Sequence, residues 1–196
     1  MSEINQQGSN PLQKYFRQPK LYITLPSNGK FYPAGAYENS ESGELPVFSM
    51  TARDELTFKT PDALLNGQAT VDVIQSCIPN IKNAWSMPSI DLDACLIAIR
   101  MATYGETMSI TVKQPVTGEE LEMNVDLRGV MDSFAQAQYQ DTVQVGEMTV
   151  TLRPLTYKEF TKNALKTFEE QRIFNVVNDD SIEDEAKLQA FTNSFV

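Results

Sequence analysis

Two stretches of the chain alternate apolar and polar residues with the period of a β-strand and double back on a short turn. The first runs from 108 to 125 and turns at 114–118, where a proline and a glycine stand. The second runs from 143 to 152, and Gly146 is the first of its two turn residues, which favours a type II′ turn. Strand residues alternate between the two faces of a sheet, so both stretches predict antiparallel hairpins.

Helical spacing of apolar residues fills the segments before and between these hairpins. Thr51 and Asp54 are spaced as an approximate capping box at the start of a helix. Further on, one helical face combines four apolar residues and ends at a proline: Val71, Ile74, Cys77, Ile78 and then Pro79. Residues 89–104 predict a central helix ended by Gly105, and residues 127–139 predict another helix between the hairpins.

The last part of the chain predicts two more helices. Thr156 and Glu159 form a capping box for a long helix. Four residues of this helix share one face and are expected to point inward: Tyr157, Phe160, Ala164 and Phe168. Residues 178–180 break the helix, and Ser181 with Asp184 begins another that runs to residue 196.

These elements predict an α+β fold in which helical middle and C-terminal segments pack with antiparallel β-hairpins. Shorter strands are expected over 21–25 and 45–50, on either side of a turn at Asn28 and Gly29. The predicted organisation is a flexible N-terminal tail at 1–13, an α+β core domain at 14–155 and a C-terminal helical segment at 156–196.

The residue types that carry most enzyme chemistry are scarce. Histidine, the commonest general base and metal ligand, is absent from the 196 residues. The two cysteines, Cys77 and Cys95, lie in apolar stretches, which favours buried thiols over a disulfide or a reactive thiol. We therefore expect no catalytic residue, no metal and no cofactor, and a protein that is not an enzyme.

Charged clusters have simpler interpretations than active sites. Asp91 and Asp93 are two positions apart, so on a helix they point to different sides, and we interpret them as cap and first-turn charges. The acids at 179–185 lack the spacing of a calcium loop and are typical of a helix start, with weak divalent binding as the alternative. Gly29-Lys30 lacks the rest of a phosphate-binding loop, and the turn at 114–118 lacks the cysteines of a zinc knuckle.

The net charge is −10, which argues against nucleic acid as a partner. Residues 1–37 differ from the rest, because four basic residues there oppose the single acid Glu3 and leave +3. This basic arm could dock on the acidic body or on a neighbour, or remain a solvated tail. Neither a secretory signal nor a membrane span is indicated, so we expect the protein in the cytoplasm of the cell that makes it.

Several short motifs follow one another in a distinctive order and spacing between roughly residues 14 and 130. They are KYFRQP at 14–19, LPSNGKFYP at 25–33, MTARDE at 50–55, TPDALLNG at 60–67, and IAIR at 97–100 with TYG at 103–105. In this order and spacing the chain resembles the baseplate hub assembly proteins of T-even-type myoviruses.

The resemblance implies a protein that helps to build the hub at the tail tip by binding hub or tape-measure proteins. It implies no catalytic residues. Two forms of this role remain: an assembly factor or chaperone in the host cytoplasm, and a structural subunit kept in the virion tail baseplate. An enzyme or an unrelated binding domain is the third reading.

Two groups of residues are candidates for partner binding. Asn28 and Gly29 form a rigid turn beside Phe31 and Tyr32, and aromatic side chains on a rigid turn make effective interface anchors. The alternative is a turn that only sets conformation, with aromatics that belong to the core. Near the end of the chain, Phe191 and Phe195 share a helical face that either covers the core or binds a partner.

Overall fold

The computed structural model describes residues 17–61, 67–115, 117–136 and 139–177. Within this part the helices are α1 (Ala52–Phe58), α2 (Gln68–Cys77), α3 (Leu92–Tyr104), α4 (Leu127–Gln136) and α5 (Tyr157–Val177), with 3-10 turns at Ala84–Ser86 and Ser89–Asp91. The strands are β1 (Leu21–Ile23), β2 (Leu45–Val47), β3 (Thr107–Lys113), β4 (Glu120–Asp126), β5 (Thr142–Val145) and β6 (Met148–Thr151). The predicted α+β class is confirmed.

The strands form three separate two-stranded antiparallel sheets: β1 with β2, β3 with β4, and β5 with β6. Both predicted hairpins are confirmed. Their registers place apolar residues opposite each other, such as Ile110 opposite Met123 and Val145 opposite Met148. Gly146 has a φ of +63°, as the first residue of a type II′ turn requires.

The core lies where the β1–β2 pair meets α2 and α3. Leu45 and Val47 of β2 are fully buried, as are Ile74 of α2 and Cys95 of α3. The predicted apolar face at 71–78 is the buried face of α2. Packing of these side chains, which excludes water from both helices, is the main stabilising contribution.

Both predicted capping boxes form. The amide of Thr51 donates to Asp54 Oδ2 at 2.8 Å, and the Asp54 amide donates back to Thr51 Oγ1 at 3.3 Å. At the start of α5 the amide of Thr156 donates to Glu159 Oε2 at 2.8 Å, and the Glu159 amide donates to Thr156 Oγ1 at 3.2 Å. These local motifs satisfy amides that a helix start otherwise leaves unpaired.

The central helix begins later than predicted. Residues 89–91 form a 3-10 turn, and α3 starts at Leu92 rather than at residue 89. Asp91 occupies the N-cap position of α3, as the interpretation of it as a cap expects, but its side chain makes no capping hydrogen bond to the helix. It accepts hydrogen bonds from a distant loop instead.

The predicted inward face of α5 is wrong beyond its first residue. Tyr157 is buried and stacks on Trp85, with ring centroids 5.5 Å apart. Phe160 and Phe168 are 46% and 64% exposed, and Ala164 is exposed as well. The periodicity correctly marks one apolar side of the helix, but this side is not packed in the core, because every side chain from residue 162 to 172 is exposed.

Arg17, from the basic arm, docks on the protein's own surface. Its guanidinium donates to the carbonyl oxygens of Ser49 and Ser76 and lies 3.7 Å from a carboxylate oxygen of Asp54. The guanidinium also lies over the Phe48 ring, 5.5 Å from its centroid. For this residue, docking on the acidic body is confirmed over a solvated tail.

Candidate functional site

The loop at 26–33, called the anchored loop below, follows β1 and has an unusual backbone. Asn28, Gly29 and Phe31 have φ values of +52°, +74° and +70°. Asn28 and Phe31 are the only non-glycine residues with positive φ in the part of the chain that the structure describes. A bulky residue in this region is strained, and such strain persists only where surrounding contacts impose it.

The side chain of Asp91 holds the conformation of the anchored loop through hydrogen bonds. It is 0% exposed, and its carboxylate accepts hydrogen bonds from the Ser27 amide at 2.8 Å and the Ser27 hydroxyl at 2.6 Å. The hydroxyl of Tyr32 donates a third at 3.0 Å. Three hydrogen bonds thus tie both arms of the loop to the start of α3.

The same arrangement shifts the acidity of its members. Burial raises the pKa of Asp91 above its ordinary range, although the hydrogen bonds from Ser27 and Tyr32 oppose the shift. Burial also raises the pKa of Tyr32, and the nearby Asp91 carboxylate raises it further. Tyr32 therefore remains a hydrogen-bond donor at neutral pH, and the group is suited to holding a shape rather than to transferring protons.

Gly29 is required by space as well as by its positive φ. A Cβ added there would lie 2.6 Å from Cε1 of Tyr37. Tyr37 in turn stacks on Tyr32, with centroids 4.8 Å apart. The turn therefore rests directly on a pair of stacked aromatic rings.

A cleft of ≈ 320 Å³ opens between the anchored loop and the junction of α4 with β5. Phe31 meets Tyr139 edge to face across it, with centroids 5.4 Å apart. Its lining is mostly polar and comprises Pro26, Ser27, Asn28, Lys30, Phe31, Ala135, Tyr139 and Asp141. The cleft thus offers amide, ammonium, carboxylate and aromatic groups to an incoming segment.

The predicted partner-binding residues lie at different depths. Asn28 is exposed at the cleft, and Phe31 is partly buried against Tyr139. Tyr32 is also partly buried, and its hydroxyl is engaged by Asp91. Phe191 and Phe195 lie outside the described residues, as do the acids at 179–185.

A second surface was not among the predicted sites. On the β5–β6 hairpin the side chains of Val143, Val145, Met148 and Val150 share one face by register, and all are exposed. Val145 and Met148 at its tip are 54% and 65% exposed. The alternation that predicted the hairpin already marked this face as apolar, but only the structure shows that no described element covers it.

The β3–β4 hairpin repeats this arrangement at its outer end. Val112, Leu121 and Met123 share one face and are exposed, while Met108 nearer the body is partly covered. On both hairpins the exposed apolar side chains are therefore grouped on one face, whereas single exposed apolar residues scattered over a surface are ordinary.

The two cysteines are placed as small buried hydrophobes. Cys77 and Cys95 are free thiols with no exposed surface. Burial raises the pKa of both, which disfavours the reactive thiolate. In the described ranges, no group of three or more cysteine and acidic side chains is arranged to hold a metal ion.

No helix in the described part of the chain combines the length and the apolar character needed to cross a membrane.

The comparison with protein families supports the coarser part of the resemblance, a baseplate protein of a T4-type phage. Residues 19–190 match the model of the family described as T4 bacteriophage base plate protein, so the match continues well past residue 130. The chain has no significant match among curated proteins or among solved structures. Because the family match covers most of the chain, this protein belongs to the T4 bacteriophage base plate protein family.

Proposed function

We propose that this baseplate-family protein acts through protein–protein binding in the assembly of the baseplate hub, as an assembly factor and without catalysis. Its partners would be hub or tape-measure proteins of the same phage. It would bind them in the host cytoplasm, without a cofactor and without contacting nucleic acid or membrane. The family match supports the baseplate setting, and the motifs at 14–130 favour the hub.

The observation that carries the binding role is the uncovered apolar face of the β5–β6 hairpin. A two-stranded hairpin is marginally stable alone, and it normally needs a third strand or another element against its apolar side. The four apolar side chains of this face are between 37% and 65% exposed, whereas the opposite face carries threonine and glutamine. A partner that covered Val145 and Met148 would stabilise the hairpin and gain apolar burial.

The anchored loop would provide a second contact. Its strained backbone is held by Asp91, so little conformational freedom is lost when a partner binds. Asn28 and Phe31 line the cleft together with other polar and aromatic groups. Rigid polar and aromatic groups of this kind favour specificity, while the hairpin contributes apolar area.

A co-expression pull-down tests this function. The tagged protein is expressed with the hub and tape-measure proteins of its own phage, and complexes are sized. The variant Val145→Asp with Met148→Asp should lose the complex. The matched control, Gln144→Asp with Thr149→Asp, adds the same charge to the opposite face of the same hairpin and should keep it.

Capture of no hub or tape-measure protein would contradict the proposed function. Equal losses in the two variants would instead remove the hairpin face as the contact. Mass spectrometry of purified virions then separates the two roles. A transient factor is absent or far below stoichiometry, whereas a retained structural subunit appears in a fixed ratio to other baseplate proteins.

A further inference from the structure

The β5–β6 hairpin has both of its strands open to solvent. Every residue from 142 to 151 is exposed. Within the described ranges the hairpin is a sheet of its own, so no described strand pairs with either of its outer edges. A two-stranded sheet is marginally stable alone, and a third strand is one way in which such a sheet is completed.

The strands of this hairpin lack the features that protect edges in other sheets. Exposed edges usually carry charged residues, proline or a bulge, because an open row of backbone groups pairs readily with other chains. The β3–β4 hairpin has such protection in four charged residues: Lys113, Glu120, Glu122 and Asp126. By contrast, β5 and β6 have the sequences TVQV and MTVT, without a charge, a proline or a bulge. Their edges are therefore suited to accepting a strand.

The register shows which backbone groups the outer edge of β5 offers. The amide of Leu152 donates to the carbonyl of Asp141 at 2.6 Å, so this opposed pair is hydrogen-bonded. Hydrogen-bonded and non-hydrogen-bonded pairs alternate along an antiparallel ladder. The next pair, and every second pair after it, is therefore non-hydrogen-bonded, and its N–H and C=O groups point outward. On β5 the residues of these pairs are Thr142 and Gln144.

The cleft beside the anchored loop lies at the start of β5. Asp141 lines the cleft and immediately precedes the strand, and Tyr139 lines it two residues earlier. All of β6 is described, and none of its residues lines the cleft. An extended segment on the outer edge of β5 therefore has a path past Asp141 into the cleft, which Asn28 and Phe31 also line.

We propose that an extended segment of the hub or tape-measure partner adds to the outer edge of β5 as a third strand and continues into the cleft. This inference rests on the proposed function and deepens it, because it names the form in which the partner binds. Main-chain hydrogen bonds to Thr142 and Gln144 hold the segment, and alternate side chains of the segment extend the apolar face of the hairpin. The four residues of β5 span about 14 Å, so a segment of about five residues is long enough.

Charge and area favour a partner segment over a second copy of this chain. Asp141 precedes β5, Glu147 lies in the turn that follows it, and the whole chain has a net charge of −10. Two copies paired at this edge would bring like charges together. A four-residue edge also buries far less than the about 1,200 Å² of a stable interface between folded proteins. A short run of β-branched residues between basic residues fits both the strand and its acidic flanks.

Amide hydrogen exchange tests this edge on the unaltered chain. Exchange is measured on the free protein and on its complex with the captured hub or tape-measure protein, and is read at single residues by mass spectrometry with electron-transfer fragmentation. Binding should slow exchange of the Gln144 amide at least about ten-fold, because the amide gains an acceptor. Thr149 lies opposite Gln144 on β6, and its outward amide should keep its rate within about two-fold.

A matched pair of proline variants tests the same contact through affinity. Gln144→Pro removes an outward N–H from β5, and Thr149→Pro removes the opposed one from β6. Proline is tolerated on an edge strand where the N–H faces outward. Gln144→Pro should weaken binding of the captured partner at least about five-fold, whereas Thr149→Pro should change it by less than about two-fold. Circular dichroism checks that both variants fold.

The outcomes separate this inference from the proposed function. Capture of no hub or tape-measure protein by the unaltered chain would overturn both. With a partner captured, the inference alone is overturned by unchanged exchange at Gln144, by equal protection of Gln144 and Thr149, or by equal affinities of the two proline variants. Protection of Gln144 in the free protein, together with dimers on sizing, would assign the edge to a second copy and also overturn it.

Discussion

The carboxylate of Asp91 accepts a hydrogen bond from the hydroxyl of Ser27 at 2.6 Å, although the two residues are 64 positions apart. The same carboxylate also accepts a hydrogen bond from the Ser27 amide, and both residues are buried. One side chain at the start of α3 therefore holds the shape of a loop near the N-terminal end of the described chain.

Replacing Asp91 with alanine should destabilise the fold strongly. It leaves the Ser27 amide and hydroxyl without an acceptor, and each buried orphan costs about 1–3 kcal/mol. We expect the free energy of unfolding in urea to fall by at least about 2 kcal/mol. Asp93→Ala is the control, since Asp93 is exposed in the same helix turn and should cost less than about 1 kcal/mol. Equal effects of the two variants would contradict the anchoring role.

Gly29→Ala should destabilise more than its positive φ alone requires. An alanine in the left-handed region costs about 1–2 kcal/mol, and at Gly29 the new Cβ would also strike the Tyr37 ring. Gly43→Ala separates the two effects, because Gly43 has a similar φ of +76° and open space around it. Urea unfolding of both variants measures the difference, and a smaller loss at position 29 would refute the close contact.

Glu159 should make α5 sensitive to acid. Hydrogen bonds from Arg153, and then from the Thr156 amide, lower the Glu159 pKa from its ordinary 4.5 to about 2. A carboxyl with a depressed folded pKa contributes stability above its unfolded pKa and loses it as the pH falls through the folded value. The stability difference between wild type and Glu159→Gln should therefore be full above pH 4.5 and vanish towards pH 2.

Urea unfolding across that range, followed by circular dichroism, checks this prediction. Glu169→Gln is a suitable control, because Glu169 lies exposed in the same helix. A difference between wild type and Glu159→Gln that stayed constant with pH would mean that the ion pair with Arg153 does not form in solution.

Phe31 and Tyr32 should behave differently when truncated. Phe31→Ala removes a ring at the cleft and should weaken capture of hub or tape-measure proteins while the protein stays folded. Tyr32→Ala removes a donor to Asp91 and a stacking partner of Tyr37, so it should mainly lower the free energy of unfolding. Pull-down yield and urea unfolding, measured on each single variant, distinguish the two. Loss of the folded state in Phe31→Ala would end its assignment to binding.

Local rules explain which features could be predicted from the sequence. The capping boxes at Thr51 and Thr156 and the registers of both later hairpins depend on neighbours within a few residues, so their residue types suffice. The turn at Asn28 and Gly29 is equally local. The hydrogen bonding that anchors this turn to Asp91 is not local, because nothing near Asp91 in the sequence marks it as an acceptor for Ser27.

The exposed surfaces show a second limit. Periodicity correctly identified the apolar sides of the β5–β6 hairpin and of α5, but it could not say what lies against them. An apolar side implies a covering partner, and the sequence alone assigned that role to the core. Phe160 and Phe168 lie beyond the contact of Tyr157 with Trp85, so their side chains do not reach the core.

The joint at Gly67 determines where the far end of α5 lies. A Cβ at Gly67 would come within 3.1 Å of both Trp85 and Tyr157 and within 3.2 Å of Thr161. With 21 residues, α5 is about 30 Å long, so a tilt of about 10° at this joint would move its tip by about 5 Å. Because Gly67 has no side chain, the start of α5 can pack closely against it, and this packing determines the tilt of the helix. The tilt in turn determines where the far end of α5 meets any neighbour.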